Sequence, residues 1–255
     1  MATAAPDKKI DIGIVIGRGF QALARSFLPY LALALILVGL PTFLLQYLLV
    51  SGLETADPLG FAVSPAYWLT FLVLMITGNL LQAIVIRSSI LHLSGRDPDY
   101  PGSALVALRL LLPMVGLTIL SSILIGIGLI LLIVPGVIVY IMLIVAVPVL
   151  VSEDKGVIES MERSRDLTKG NRGRIFLMIL LFFVAYMLLS LAAGAIAAVP
   201  FATLEAADMT MMAAIDAVIG ALSAMLTSAM VAALYVELRT EKEGATTDSL
   251  AAIFE

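Results

Sequence analysis

VPGVIVYIMLIVAVPVLVSEDKGVIESMERSRDLTKGNRGR, residues Val134 to Arg174, decides how the whole chain is read. It opens on Pro135-Gly136, a pair that predicts a tight turn. An apolar run from Gly136 to Val151 follows, long enough for a short helical crossing of a hydrocarbon layer. From Ser152 the chain turns charged, and at Ile175 hydrophobic sequence resumes. A turn on one face of a membrane, a crossing and a basic segment on the other face thus follow one another directly.

The remaining sequence repeats this pattern. Of 255 residues, 61% are hydrophobic and 13% charged, against roughly 45–50% and 25% in soluble domains, and mean hydropathy is +1.09. The chain is therefore expected to be an all-α, polytopic membrane protein. Its net charge of −4 says little, because the placement of cations sets orientation. There is no cysteine, which excludes disulfides, thiolate metal sites and cysteine nucleophiles. The polar start MATAAPDKK and a first long apolar run from near Phe27 do not fit a cleaved signal peptide, so that run is read as a retained span.

Six spans are expected, at about 28–50, 66–86, 111–133, 136–151, 175–199 and 211–236, in one integral membrane domain. Residues 1–26 form a polar N-terminus and an interfacial helix, and 238–255 a tail with a short helix from Asp248. Asp11 caps the interfacial helix, whose apolar stripe is Ile12, Ile16, Phe20, Leu23 and Phe27. Pro41 predicts a kink in the first span, and Trp68 with Tyr67 an aromatic belt at the start of the second. Ser103 to Leu110 reads as a short surface helix. The apolar tip Val134-Pro135-Gly136 is expected to be recessed in the bilayer or covered by other loops.

After the fourth span, Ser152 or Asp154 is expected to cap a helix with the stripe Val157, Ile158, Met161 and Ser164. Glu159 and Arg163 form an i,i+4 pair on its charged face, and Gly170 and Gly173 end it. In the sixth span Ala213, Ala217, Gly220, Ala221, Ala224 and Ser228 recur at helical spacing, which predicts tight packing of spans five and six.

On this layout all 15 Lys and Arg fall on the side of both termini, while the loops 51–65 and 201–210 carry only Glu54, Asp57, Glu205 and Asp208. The positive-inside rule then puts both termini in the cytoplasm. Three basic segments lead into spans, at Arg25, Arg109 and Arg172, and three return spans exit through HLSG, SEDKG and EKEG. The simplest arrangement is three hairpins, each preceded by an amphipathic inner-face helix.

The chemistry is sparse. No phosphate-binding loop or paired metal-binding histidine is present, and the single His92 reads as an interfacial residue. No enzymatic constellation, cofactor or nucleic-acid partner is expected. Asn79 and Gln82 lie mid-span, where polar groups either bond between helices or line a solute path. Asp216 is the single acid within an expected span, placed near the outer boundary by count. The basic inner surface, with Arg163, Arg165, Lys169, Arg172 and Arg174, could contact anionic phospholipid headgroups. A membrane-protein partner or a second copy of the chain is the other open class.

The opening stretch, with its Pro-Gly turn, Glu153, Lys155-Gly156 and the series Ser164, Leu167, Thr168, Gly170 and Asn171, resembles a bacterial six-helix family. This is the family named for the membrane domain of glycerophosphoryl diester phosphodiesterases, with its YciC-like relatives. The ending LYVELRTEKEG, Leu234 to Gly244, is similar as well. The resemblance implies an integral inner-membrane helical bundle. It implies no phosphodiesterase activity, since this chain leaves no length for the attached catalytic domain. Residues Glu153 to Gly173 are then the first place to look for function. The overall expectation is a non-enzymatic, membrane-embedded interaction or lipid-associated module, with transport of a lipid or amphiphilic small molecule as the alternative.

Overall fold

The computed structural model describes residues 9–53, 65–201 and 209–244, and among them there is no strand. Glu54, Asp57, Glu205, Asp208 and the helix expected from Asp248 lie outside the described residues. The elements are α1 (Ile12–Arg25), α2 (Phe27–Ala34), a π turn (Leu35–Gly39), α3 (Leu40–Leu53), α4 (Pro65–Leu93), α5 (Tyr100–Arg109) and α6 (Leu111–Leu131). There follow α7 (Ile133–Leu143), α8 (Ala146–Ser152), α9 (Val157–Thr168), α10 (Arg172–Phe201) and α11 (Met209–Glu243). Six helical passages are long and apolar enough to cross a membrane: α2 through α3, α4, α6, α7 with α8, α10 and α11. The protein is thus an all-α, multi-pass membrane protein.

Asp11 caps α1 as expected, its carboxylate accepting from the backbone N–H of Gly13 and Ile14. The buried face of α1 shares only Leu23 with the expected stripe, with Ile12 and Ile16 half-buried. Val15, Gly19, Ala22 and Leu23 are buried, whereas Phe20 and Phe27 face outward. The reason is steric: α1 lies against α11, and a side chain on Gly19 would overlap Met230. Small residues take the face against α11, and Phe20 and Phe27 are left exposed.

Pro41 does mark an irregularity, expressed upstream of itself. A proline removes one N–H and collides with the carbonyl four residues earlier, and here the helix widens into the π turn Leu35–Gly39 just before it. Gly39, at the end of that turn, faces α11: a Cβ on it would stand 3.6 Å from the Ala217 carbonyl oxygen and 3.6 Å from the Ala221 Cβ.

That contact corrects the expected pairing of spans five and six. Ala213, Ala217, Ala221 and Ser228 are buried and Gly220 and Ala224 half-buried, but α11 packs chiefly along α4, α1 and the first span. Against α10 its contacts are sparse. Small residues do bring backbones close; their partner is the first span.

The turn also lies earlier than Pro135-Gly136. Leu132 alone leaves helical geometry, at φ −165° and ψ 150°, and Pro135 sits within the first turn of α7, where its missing N–H costs no bond. Gly136 is there for proximity, since a Cβ on Gly128 would come within 2.8 Å of the Gly136 Cα. The α6–α7 hairpin therefore closes backbone to backbone. Ile130 through Val134 are all exposed at its tip.

The fourth passage breaks at Ile144–Val145, upstream of Pro148, and resumes as α8. Beyond it, neither Ser152 nor Asp154 caps α9. The Ser152 hydroxyl turns back to the Pro148 carbonyl at 2.6 Å, Asp154 adopts φ 49°, and Gly156 is the cap residue. Glu159 accepts from the Gly156 N–H at 3.4 Å, so it is not the partner of Arg163. The buried face of α9 is Ser160, Met161, Ser164, Leu167 and Thr168; Ile158 is exposed.

Candidate functional site

Four features deserve comparison as sites: two polar clusters at the basic end of the bundle, one pair mid-span, and one cavity. The first cluster is built where α8, α9 and α11 meet. Tyr235 is fully buried, and its hydroxyl donates to Glu153 Oε1 at 2.9 Å, accepts from Arg239 Nη1 at 3.3 Å and, at 3.0 Å, shares the single Ser152 hydroxyl proton with the Pro148 carbonyl. Arg163 Nε donates to Glu153 Oε2 at 3.1 Å, and its Nη2 pairs with Glu243, whose other oxygen takes Arg239 Nε at 2.8 Å. Two cations and two anions alternate around one buried phenol. Burial of the Arg163 guanidinium works against its charge, but its bonds and attraction to Glu243 and Glu153 outweigh that and hold its pKa above the ordinary arginine value. With both carboxylates and the phenol engaged inside the protein, this arrangement braces helices.

The second cluster sits at the α9–α10 connection. Ser164 Oγ donates to the Met142 carbonyl at 2.7 Å, supplying a partner where the fourth passage breaks, and Thr168 Oγ1 bonds back to the Ser164 carbonyl at 3.0 Å. Gly170 turns the chain at φ 92°, a left-handed conformation that favours glycine. Asn171 then reaches two ways: its Oδ1 accepts from the Ile10 N–H at 3.2 Å, and its Nδ2 donates to Glu241 at 2.9 Å. Arg174 donates to the carbonyls of Ile10 and, at 3.3 Å, Lys9. The segment preceding α1 is thereby clipped to α10 and α11, and Arg18 adds an ion pair to Glu237 at 2.5 Å. Arg165 and Lys169 are exposed. Arg172 is half-buried, with an Nε that is shielded from solvent and has no hydrogen-bond partner among the described residues.

The mid-span residues do not converge with these. Asn79 is buried and bonded on both sides, donating to the Met75 carbonyl at 2.8 Å and accepting from Thr118 Oγ1 of α6 at 3.0 Å. Gln82 is half-buried one turn away, and Asp216 is exposed near the opposite end of α11 from the basic residues.

The described cavity lies elsewhere, between α7, α10 and α11. Its volume is about 350 Å³, and Tyr140, Ile144, Met178, Phe182, Leu226 and Met230 are among its walls. Tyr186, Ser223 and Thr227 add hydroxyl-bearing side chains. It is a cleft with an open side, for Tyr140, Phe183, Tyr186 and Thr227 are all exposed. Sparse packing of α10 against both neighbours creates it. Neither Asn79 nor Gln82 lines it.

Sequence reasoning singled out Glu153, Arg163 and Asn171 but missed Tyr235, Arg239 and Glu243, which follow at i, i+4 and i+8 on one face of α11. That spacing was the available signal. The cleft had none, because its walls read as ordinary apolar span residues.

No curated protein and no solved structure matches the chain. A family model described as "Domain of unknown function (DUF7847)" matches residues 69–238. The match runs from α4 into α11 and so contains both the cleft and most of the basic-end brace. By that match, which takes in well over half of the sequence, the chain belongs to the DUF7847 family.

Proposed function

We propose that this is a non-enzymatic protein of a bacterial cytoplasmic membrane, with both termini in the cytoplasm, that serves as a lipid-associated module by holding a hydrocarbon chain in the α7–α10–α11 cleft. The cleft carries the reading. It is apolar and open to the side, and at about 350 Å³ it falls at the small end of the range for ligand pockets. Polar side chains at its edge are hydroxyls, which suit the glycerol region of an amphiphile better than an ionic solute. The one-sided distribution of Lys and Arg supports the orientation. The resemblance of residues 134–174 to the glycerophosphoryl diester phosphodiesterase membrane-domain family supports a lipid setting.

The test is the set of molecules that co-purify in mild detergent. Mass spectrometry of the intact complex should find one lipid or amphiphile retained by the wild type and lost from Thr227→Trp, which fills the cleft wall. Equal retention by both proteins would refute the seat. Transport of the same molecule is the second reading, favoured by the open side of the cleft. It predicts flux of a labelled lipid in reconstituted vesicles that Thr227→Trp abolishes.

A further inference from the structure

Lipid tails are as apolar as the walls of the cleft, so burial alone gives a chain little reason to prefer the protein over the bilayer. Selection has to come from the polar end of the ligand. We infer that the cleft takes one acyl chain of an anionic phospholipid from the leaflet at the basic end, with the phosphate bound by Arg172; this rests on the cleft being a chain seat.

Three observations converge on Arg172. It opens α10 at the depth where that passage enters the apolar region. It lies seven and eleven residues before Ile179 and Phe183, the spacing that puts all three on one helix face, and both of those residues line the cleft. At 1.5 Å per residue, its backbone is about 10 Å along the axis from Ile179, a span that a glycerol unit and the first methylenes of a chain would cover.

The third observation is the state of its side chain. Arg163, Arg239, Arg18 and Arg25 are each paired with carboxylates, and Arg174 is engaged by the carbonyls of Lys9 and Ile10. Arg172 is half-buried, and its shielded Nε lacks an acceptor among the described residues. A shielded donor without a partner is unfavourable in the empty protein and becomes favourable once an acceptor arrives. A phosphodiester supplies oxygens in the geometry a guanidinium matches with two parallel bonds, and carries the complementary charge. The neighbouring Arg174, already fixed, adds to the positive field without needing to move.

The full-length protein, delipidated in detergent, is titrated with phosphatidylglycerol and with phosphatidylcholine of the same chains, and bound lipid is counted by native mass spectrometry. Wild type should favour phosphatidylglycerol by about fivefold, the factor expected for one basic contact near a membrane surface. Arg172→Gln should weaken phosphatidylglycerol about fivefold and phosphatidylcholine, whose choline cation already offsets its phosphate, by less, so that the preference disappears; Arg172→Lys, which keeps the charge but not the two parallel bonds, should retain part of it. Arg165→Gln, which removes an exposed cation from the same surface, should change nothing. An unchanged preference in Arg172→Gln, or an equal loss in Arg165→Gln, overturns the headgroup assignment while leaving the chain seat standing. Loss of both lipids in Thr227→Trp supports that seat, and unaltered binding of both in Thr227→Trp overturns seat and headgroup together.

Discussion

Tyr235→Phe isolates a single oxygen atom at the centre of the basic-end brace. The ring stays, so apolar packing is conserved, and only the three hydroxyl bonds disappear: to Glu153 at 2.9 Å, from Ser152 at 3.0 Å and from Arg239 at 3.3 Å. A bond to a charged group contributes about 1.5–3 kcal/mol and a neutral one about 0.5–1.5 kcal/mol. Each former partner retains another: Glu153 keeps Arg163, Ser152 keeps the Pro148 carbonyl, and Arg239 keeps Glu243. No orphan is created, so the net cost falls below the sum of the three bonds and near that of a single bond to a charged group, about 2 kcal/mol. For a chain of this size that lowers the melting temperature by about 4–8 °C. The assay is thermal loss of helical circular dichroism in detergent, run on Tyr235→Phe, Glu153→Gln and the double variant. Because the two residues share a bond, the double variant should be less destabilised than the sum of the singles by more than about 0.5 kcal/mol. Strict additivity, or a melting point for Tyr235→Phe within a degree of wild type, would refute the view that the brace is one cooperative unit.

Gly136→Leu should cost about 1–3 kcal/mol by overpacking, since its Cβ would stand 2.7 Å from the Leu129 backbone nitrogen; Gly126→Ala, with open space around it, should be tolerated in the same melt. Gly19→Leu should push α1 off Met230 and make the α1 region cleavable by added protease, whereas Gly17→Leu, which meets nothing within 4 Å, should leave it protected. Single cysteines placed at positions 57 and 206 should react with a membrane-impermeant maleimide on intact cells, and one at position 169 only after permeabilisation. The reverse pattern would invert the proposed orientation.

Local chemistry was legible where it decides the outcome. Asp11 before an apolar periodic run is a cap in the sequence and a cap in the structure. Pro41 was readable as a disturbance, though not its form, a π turn that ends on Gly39 beside α11. Pro135-Gly136 misled because proline is as comfortable in the first turn of a helix as in a β-turn, and the reason for the glycine lies in Gly128 across the hairpin. The pairing of Arg163 was missed for a similar reason. Glu159 is close in sequence, but Glu153 and Glu243 are close in space, the latter 80 residues away. Small residues in α11 announced a tight interface without naming the partner, since Gly39 and Gly19 carry no pattern that points at residues near 220 and 230. The cleft is an absence of packing, and absences leave no mark in hydropathy.

The union of α1 with α11 also has a consequence in time. Arg18 and Glu237 are separated by 219 positions, so on a ribosome the helix carrying Arg18 is finished long before its counterpart exists. Throughout that interval the small-residue face around Gly19 and Ala22 lacks its main protein surface. Contacts this distant form late, and here synthesis itself enforces the delay. A chain halted before α11 leaves the Gly19 face of α1 uncovered, a surface that the completed molecule closes against Met230.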